Sequence, residues 1–151
     1  MTDGAGLARR MAEDHRDLDE RWDRFEATPE GDAVGRRQRF RSFRSDLLEH
    51  IALEEEDLFP RMVDRDPGQR ALVGRLLEEH ARIKDVLDRL GAALEVGAGP
   101  GSVAELGFEL RNELGEHNAR EEAVAYPWLD GHLTAAETAE ATRRLGRSGR
   151  P

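Results

Sequence analysis

His50-Ile51-Ala52-Leu53-Glu54-Glu55-Glu56-Asp57-Leu58-Phe59-Pro60 is answered 67 residues later by His117-Asn118-Ala119-Arg120-Glu121-Glu122-Ala123-Val124-Ala125-Tyr126-Pro127. Both stretches carry Glu at +4 and +5 from the His, an aromatic at +9 and Pro at +10. On an α-helix a +4 step is close to one turn, so each His and its first Glu project on the same side. Each stretch is therefore a two-ligand claw, and the chain carries two.

The flanking sequence reads as helices that present these claws inward. The first helix spans about Leu7 to Ala27, with an apolar seam of Leu7, Met11, His15, Leu18, Trp22 and Phe25 at steps of three and four. Thr28-Pro29-Glu30-Gly31-Asp32 breaks it. A second helix runs from about Ala33 to Phe59, with a seam of Phe40, Phe43, Leu47, His50, Glu54 and Leu58. Asp66-Pro67-Gly68-Gln69 supplies an N-cap, a Pro at the first helical position and a capping-box Gln. The third helix, to about Val96, has the seam Val73, Leu76, His80, Ile83, Leu87, Leu90 and Leu94. After the breaker Gly97-Ala98-Gly99-Pro100-Gly101, Ser102 and Glu105 are expected to cap a fourth helix. Its seam is Val103, Leu106, Leu110, Leu114, His117, Glu121 and Val124, ending at Pro127. Gly131 closes that region, and Thr134 with Glu137 caps a short fifth helix to about Leu145.

Long helices joined by short turns predict an all-α fold, an antiparallel up-down four-helix bundle with a short C-terminal fifth helix. Residues 1–145 read as a single domain and 146–151 as a flexible tail. Glu13-Asp14-His15 resembles Glu78-Glu79-His80, so two hairpins, about 1–65 and 66–131, are expected to be related by a pseudo-two-fold axis.

Residues equidistant from a turn lie at one height in an antiparallel pair. The midpoint of His15 and His50 is 32.5, that of His80 and His117 is 98.5, and that of Glu54 and His80 is 67, each beside or inside a predicted turn. Three turns thus place four His and two Glu at one level. A single His on a helix seam is an ordinary hydrogen-bonded core residue; four on four seams at one height are not. Two carboxylates buried without a partner cost several kcal/mol each, so the alternatives are a bound cation or a buried Glu–His network.

Bulk properties bound the function. Charged residues make up 36% of the 151 positions and apolar residues 38%, and the net charge is −9 with both signs interspersed. That argues against nucleic acid or an anionic membrane as partner. The chain shows no apolar run long enough to span a bilayer and no signal-like apolar segment near its start, so a cytoplasmic location is expected. Cysteine is absent, which excludes disulfides and thiolate ligands from this chain. No phosphate loop, nucleotide motif or nucleophile is visible, so any catalysis would belong to a metal.

Imidazole and carboxylate without thiolate suit iron, manganese or zinc. His15 and His50 would hold one ion, His80 and His117 its mate, and Glu54 and Glu121 would bridge them, with oxide or hydroxide between the metals. Two irons so held would meet O2, NO or peroxide; a single iron is the variant if one ion binds weakly. Glu55, Glu56, Asp57 and Glu122 read as solvated flank, Asp19 as a surface acid, and His132 as a loop residue beyond the bundle.

A His in the first helix, His-x-x-x-Glu in the second, a His in the third and His-x-x-x-Glu in the fourth resemble the hemerythrin-like (HHE cation-binding) family over about residues 7–131. The resemblance implies a non-heme di-iron centre. It also implies binding or sensing of O2 or NO, or repair of iron–sulfur centres under nitrosative and oxidative stress. Oxygen carriers of the family have a further His where this chain has Lys84, whose stem is expected to pack on the seam edge with its ammonium in water. Their last carboxylate is an Asp at +5, where this chain has Glu121 at +4 and Glu122 at +5. The set is more similar to the four-His, two-Glu branch, although that branch often carries a cysteine-bearing segment. Iron storage or donation and redox turnover at the same site are further readings.

Overall fold

The computed structural model describes residues 6–146. Among them seven α-helices run in order: α1 (Gly6–Ala27), α2 (Ala33–Leu53), α3 (Phe59–Arg65), α4 (Arg70–Glu95), α5 (Pro100–Arg120), α6 (Tyr126–His132) and α7 (Ala135–Gly146). Among the described residues there is no strand, so the protein is all-helical and consistent with a helical bundle. None of these helices is long and apolar enough to cross a membrane.

Local chemistry sets the ends. Asp32 caps α2 by accepting from the Gly35 N–H at 2.9 Å. Asp66 accepts from the Gly68 N–H at 2.9 Å and opens a single 3-10 turn, Pro67–Gln69, so α4 begins at Arg70 rather than at the proline. The Gln69 N–H donates to the Asp66 carbonyl at 2.9 Å, and its side-chain amide donates to Asp66 Oδ2 at 3.1 Å rather than accepting from the Asp66 N–H as a capping box would. Gly97 ends the region after α4 with φ 67, a left-handed conformation open to glycine. The expected Ser102–Glu105 cap does not form: α5 starts three residues earlier, with Gly99 as cap and Pro100 in the first turn, where its missing N–H costs nothing. At α7 the capping box is complete, with the Glu137 N–H donating to Thr134 Oγ1 at 3.1 Å and the Thr134 N–H donating to Glu137 Oε1 at 2.9 Å.

The second and fourth helices expected from the seams do not stop at Phe59 and Pro127. The backbone stays right-handed helical through the Glu54–Leu58 turn into α3, and through the Glu121–Ala125 turn into α6. Both connecting turns are π turns, in which the Phe59 N–H donates to the Glu54 carbonyl and the Tyr126 N–H to the Glu121 carbonyl, five residues back. Pro60 and Pro127 come immediately after. A proline in a plain α-helix collides with the carbonyl four residues earlier; the wider turn relieves that collision, so the helix survives. The extra residue also rotates the helix beyond it. Val124, expected on the seam, is 49% exposed, whereas Ala125 and Tyr126 are fully buried.

Side chains of neighbouring helices meet in pairs. His15 faces His50 and Thr28 faces Arg36 across α1 and α2, and Glu79 faces His117 and Arg89 faces Glu109 across α4 and α5. Two apolar clusters fill the interior. Leu18, Trp22, Phe25, Phe40, Phe43, Leu87, Leu90 and Leu110 belong to one. Leu7, Met11, Leu53, Phe59, Met62, Leu76 and Leu129 belong to the other, which α7 covers with Ala141 and Leu145. Each fully buried Leu or Phe contributes about 1.5–3 kcal/mol, so the apolar clusters carry the bulk of the stability. The ends beyond Gly6 and Gly146, including nearly all of the expected tail, lie outside the described residues.

Two outcomes are expected. Thr134→Ala should destabilise the protein by about 1 kcal/mol in denaturant melts, through loss of the α7 cap. Deleting Val124, one of the exposed residues of the second π turn, should turn it into a plain α turn and restore the collision between the proline and the carbonyl four residues earlier; the cost of about 3 kcal/mol should lower the melting temperature by roughly 10 °C in thermal melts followed by far-UV circular dichroism.

Candidate metal centre

His15, His50, Glu54, His80, His117 and Glu121 are all buried, the two glutamates with no exposed surface at all. The imidazoles turn Nε2 inward. His15 Nε2 lies 3.2 Å from Glu121 Oε1, His50 Nε2 3.4 Å from Glu54 Oε2, His80 Nε2 3.2 Å from Glu54 Oε1, and His117 Nε2 3.0 Å from Glu121 Oε2. Each glutamate therefore directs one oxygen to the His15–His50 pair and the other to the His80–His117 pair. Two groups could hold an ion, Glu54–His80–His117–Glu121 and His15–His50–Glu121, with the candidate ligand atoms of each within 4.8 Å of one another.

Every one of these imidazoles is held from behind by a carboxylate. His50 Nδ1 is 2.7 Å from Asp14, His117 Nδ1 2.9 Å from Glu79, His80 Nδ1 2.8 Å from Glu55 and His15 Nδ1 2.8 Å from Glu122. An ionised carboxylate only accepts, so Nδ1 carries the proton and donates. Nε2 is the atom left to face the centre. Such carboxylate–histidine pairs fix ring orientation and raise ligand basicity. The pattern follows the sequence repeat: the acid before the first His of each hairpin braces the second, and the Glu after each inner glutamate braces the His of the other hairpin. Glu55 and Glu122 are thus not simply solvated flank: Glu55 is half-buried, and the carboxylates of both, Glu122 though exposed, are engaged by imidazoles. Glu56 and Asp57 do turn away, to Arg144 and Arg61.

Tyr126 joins the centre although it lies on no apolar seam read from the chain. The π turn brings it onto the same face as Glu121, and its Oη lies 2.7 Å from Glu54 Oε2, 2.8 Å from Glu121 Oε1, 3.0 Å from His15 Nε2 and 3.2 Å from His50 Nε2. Its counterpart Phe59 has no hydroxyl and stacks on the His80 ring at 5.6 Å between centroids. The signal in the sequence was the proline after each +9 aromatic, which announces a widened turn.

The electrostatics suit a cation. Burial alone would depress the His50 and His80 imidazolium groups, but the neighbouring glutamates, joined at His50 by Asp14, outweigh it and carry both up to about 10. Burial would raise the Glu121 carboxyl, yet His117, His15 and His80 hold it well below the usual range. Burial, then Glu121 and Glu54, push the Tyr126 phenol well above its ordinary value. Three buried atoms of the cluster have no hydrogen-bond partner: Glu54 Oε1, His80 Nε2 and Glu121 Oε2. They approach one another, or His117, without the directions a hydrogen bond needs. An unsatisfied buried polar atom costs about 1–3 kcal/mol, more when charged. Three such atoms aimed at one point are what a bound cation would satisfy, so the residues present fit a metal of the imidazole–carboxylate class.

The remaining candidates sit outside this cluster. Lys84 does not simply reach water: it pairs with both oxygens of Glu55 at 3.1 and 3.3 Å, so it touches the centre only through the acid behind His80. Asp19 is an exposed acid whose carboxyl is raised by partial burial. It lines a groove of about 660 Å³ between α1 and α5, together with Trp22, Arg111 and Glu122, and His15 forms part of the lining. His132, expected in a loop, is instead the exposed last residue of α6, stacked on Trp128 at 3.8 Å.

The family model described as hemerythrin HHE cation binding domain matches residues 2–62 and 71–145, and the chain belongs to that family. The first matched stretch runs through α1 and α2 into α3, and the second from α4 into α7. Comparison with curated proteins and with solved structures gave no match.

The raised His50 and His80 values set the sign of the pH response. In the metal-free chain these groups stabilise the fold fully below the ordinary histidine value near 6.5 and lose that contribution as pH rises through about 10. A metal must displace their Nε2 protons, so zinc affinity should climb about tenfold per pH unit for each displaced proton between pH 7 and 9. Chelator competition reads the slope, while the metal-free melting temperature should fall over the same interval. Glu79→Gln, which weakens the brace on His117, should lower metal affinity by about 10- to 100-fold.

Proposed function

We propose that this hemerythrin-family domain, residues 1–145, is an antiparallel up-down four-helix bundle with a short fifth helix that holds two iron ions through His15, His50, Glu54, His80, His117 and Glu121. It binds or senses O2, NO or peroxide, in a cytoplasmic response to oxidative or nitrosative stress. The observation that carries the reading is a fully buried pair of glutamates between four imidazoles, each braced through Nδ1, with three ligand-type atoms left unsatisfied.

Iron, when bound, supplies the redox-active centre for diatomic gases or peroxide that these side chains lack. The chain's own residues do the rest. Glu54 and Glu121 offset cationic charge. Asp14, Glu55, Glu79 and Glu122 hold the imidazole protons at Nδ1 and keep Nε2 inward. The two apolar clusters exclude bulk water above and below the polar layer. The groove beside His15 gives a small molecule an approach from solvent. That approach also favours a second reading, turnover of NO or peroxide at the same site. Storage or donation of iron would use the same ligands, and labile iron passing to an apo acceptor is its mark.

Elemental analysis after anaerobic Fe(II) loading should give two irons per chain, and the visible spectrum should change on exposure to air, NO or peroxide. Tight manganese or zinc, with no response to these molecules, would overturn the gas chemistry and leave the metal centre. Chelation should lower stability by an amount set by binding linkage, about 2.7 kcal/mol at a metal concentration 100 times Kd; an unchanged melting temperature would remove the structural role of the ions. Turnover present in the native chain and lost in Glu54→Ala would mark an enzyme rather than a binder.

A further inference from the structure

The two halves of the centre are built alike in their imidazoles and differ in one atom. In the His80–His117 half, Glu54 Oε1, His80 Nε2 and Glu121 Oε2 have no hydrogen-bond partner. In the His15–His50 half, the Tyr126 hydroxyl stands among the corresponding atoms. It lies 2.7 to 3.2 Å from Glu54 Oε2, Glu121 Oε1, His15 Nε2 and His50 Nε2. The pseudo-two-fold mate of Tyr126 is Phe59, which presents only carbon to His80. The asymmetry is therefore written into the sequence at the two +9 positions.

Resting on the reading of a two-metal centre, we propose that the two positions load unequally and that Tyr126 sets the order. The first ion enters the Glu54–His80–His117–Glu121 group, and a second enters the His15–His50 side only as the Tyr126 hydroxyl gives up its contacts. The physical cause is the difference in what a cation must displace. On the first side it meets oxygen and nitrogen atoms that face one another at ion-pair distance but that no hydrogen bond satisfies. On the second side the same kinds of atom already have partners: the Tyr126 hydroxyl donates its one proton to one glutamate oxygen at a time and accepts from an imidazole, and the Nε2 atoms of His15 and His50 also lie 3.2 Å from each other. A cation arriving there breaks that set, and the glutamate oxygens turn from Tyr126 to the metal. Tyr126 is a positioning residue in this scheme: it guards the second position and stands 2.7 and 2.8 Å from oxygens of Glu54 and Glu121, sharing its one proton between them, before any ion arrives. The arrangement permits a chain that carries one ion at low metal and two at high metal.

Calorimetric titration of the metal-free chain with Zn(II), with ions per chain counted by native mass spectrometry, tests this. Wild type should bind in two steps, the second at least tenfold weaker. Tyr126→Phe should tighten the second step by about tenfold or more and leave the first within a few-fold, because the glutamate oxygens lose the hydroxyl that competes with an arriving cation. His80→Ala should abolish the tight step, and His15→Ala should abolish only the weak one. Two equal steps in wild type overturn the proposal while the metal centre stands. A second step unchanged in Tyr126→Phe makes the hydroxyl a bystander, and a weakened one makes it a ligand; either overturns the ordering role. No zinc bound by the wild-type chain would instead overturn the metal reading itself. Circular dichroism of each variant reports whether it is folded.

Discussion

Two glutamates with no exposed surface lie between two apolar clusters, and the rest of the molecule is arranged around their charge. A carboxylate so placed costs several kcal/mol unless it is compensated. Compensation here comes in layers. The imidazoles of His15, His50, His80 and His117 face the glutamate oxygens. Behind them stand Asp14, Glu55, Glu79 and Glu122. Behind some of these acids stand cations, Lys84 at Glu55 and Arg120 at Glu79, the latter at 3.1 Å. Charge alternates outward from the centre until it reaches water. A stack of this kind is rigid because removing any one layer strands the next inside it.

Much of this was legible in the chain. The His-x-x-x-Glu spacing, the heights counted from three turns and the apolar seams all derive from the geometry of an ideal helix, and the structure brings the six side chains together at one level. The acids at Nδ1 were visible as residues but not as partners. Glu55 and Glu122 sit beside the inner glutamates in sequence, and a solvated flank is what adjacency on a helix suggests. Their engagement depends on how two hairpins interlock, which helical periodicity does not carry.

The π turns account for the larger misreading. Seam counting assumes about 3.6 residues per turn throughout, so it ended two helices at prolines and put Val124 inside. One extra residue per turn corrects both, carrying the helix past Pro60 and Pro127 and exchanging Val124 for Ala125 and Tyr126. Tyr126 therefore escaped notice for a physical reason: its inward position exists only in the widened turn. The failed Ser102 cap has a simpler cause. Pro100 fits the first turn of a helix, and it opened α5 before the serine could cap it.

The two apolar clusters share their helices. α1 supplies Leu7 and Met11 to one and Leu18, Trp22 and Phe25 to the other; α2 and α4 likewise thread through both. The polar layer separates them. Neither cluster can open alone, since loosening one drags the same rods out of the second. Local unfolding is thereby suppressed along most of the length, and amide hydrogen exchange in the middle of α1, α2 and α4 is tied to global opening. The centre thus sits at the cooperative waist of the chain, where any gain or loss of binding energy is shared by the whole fold rather than absorbed by one end.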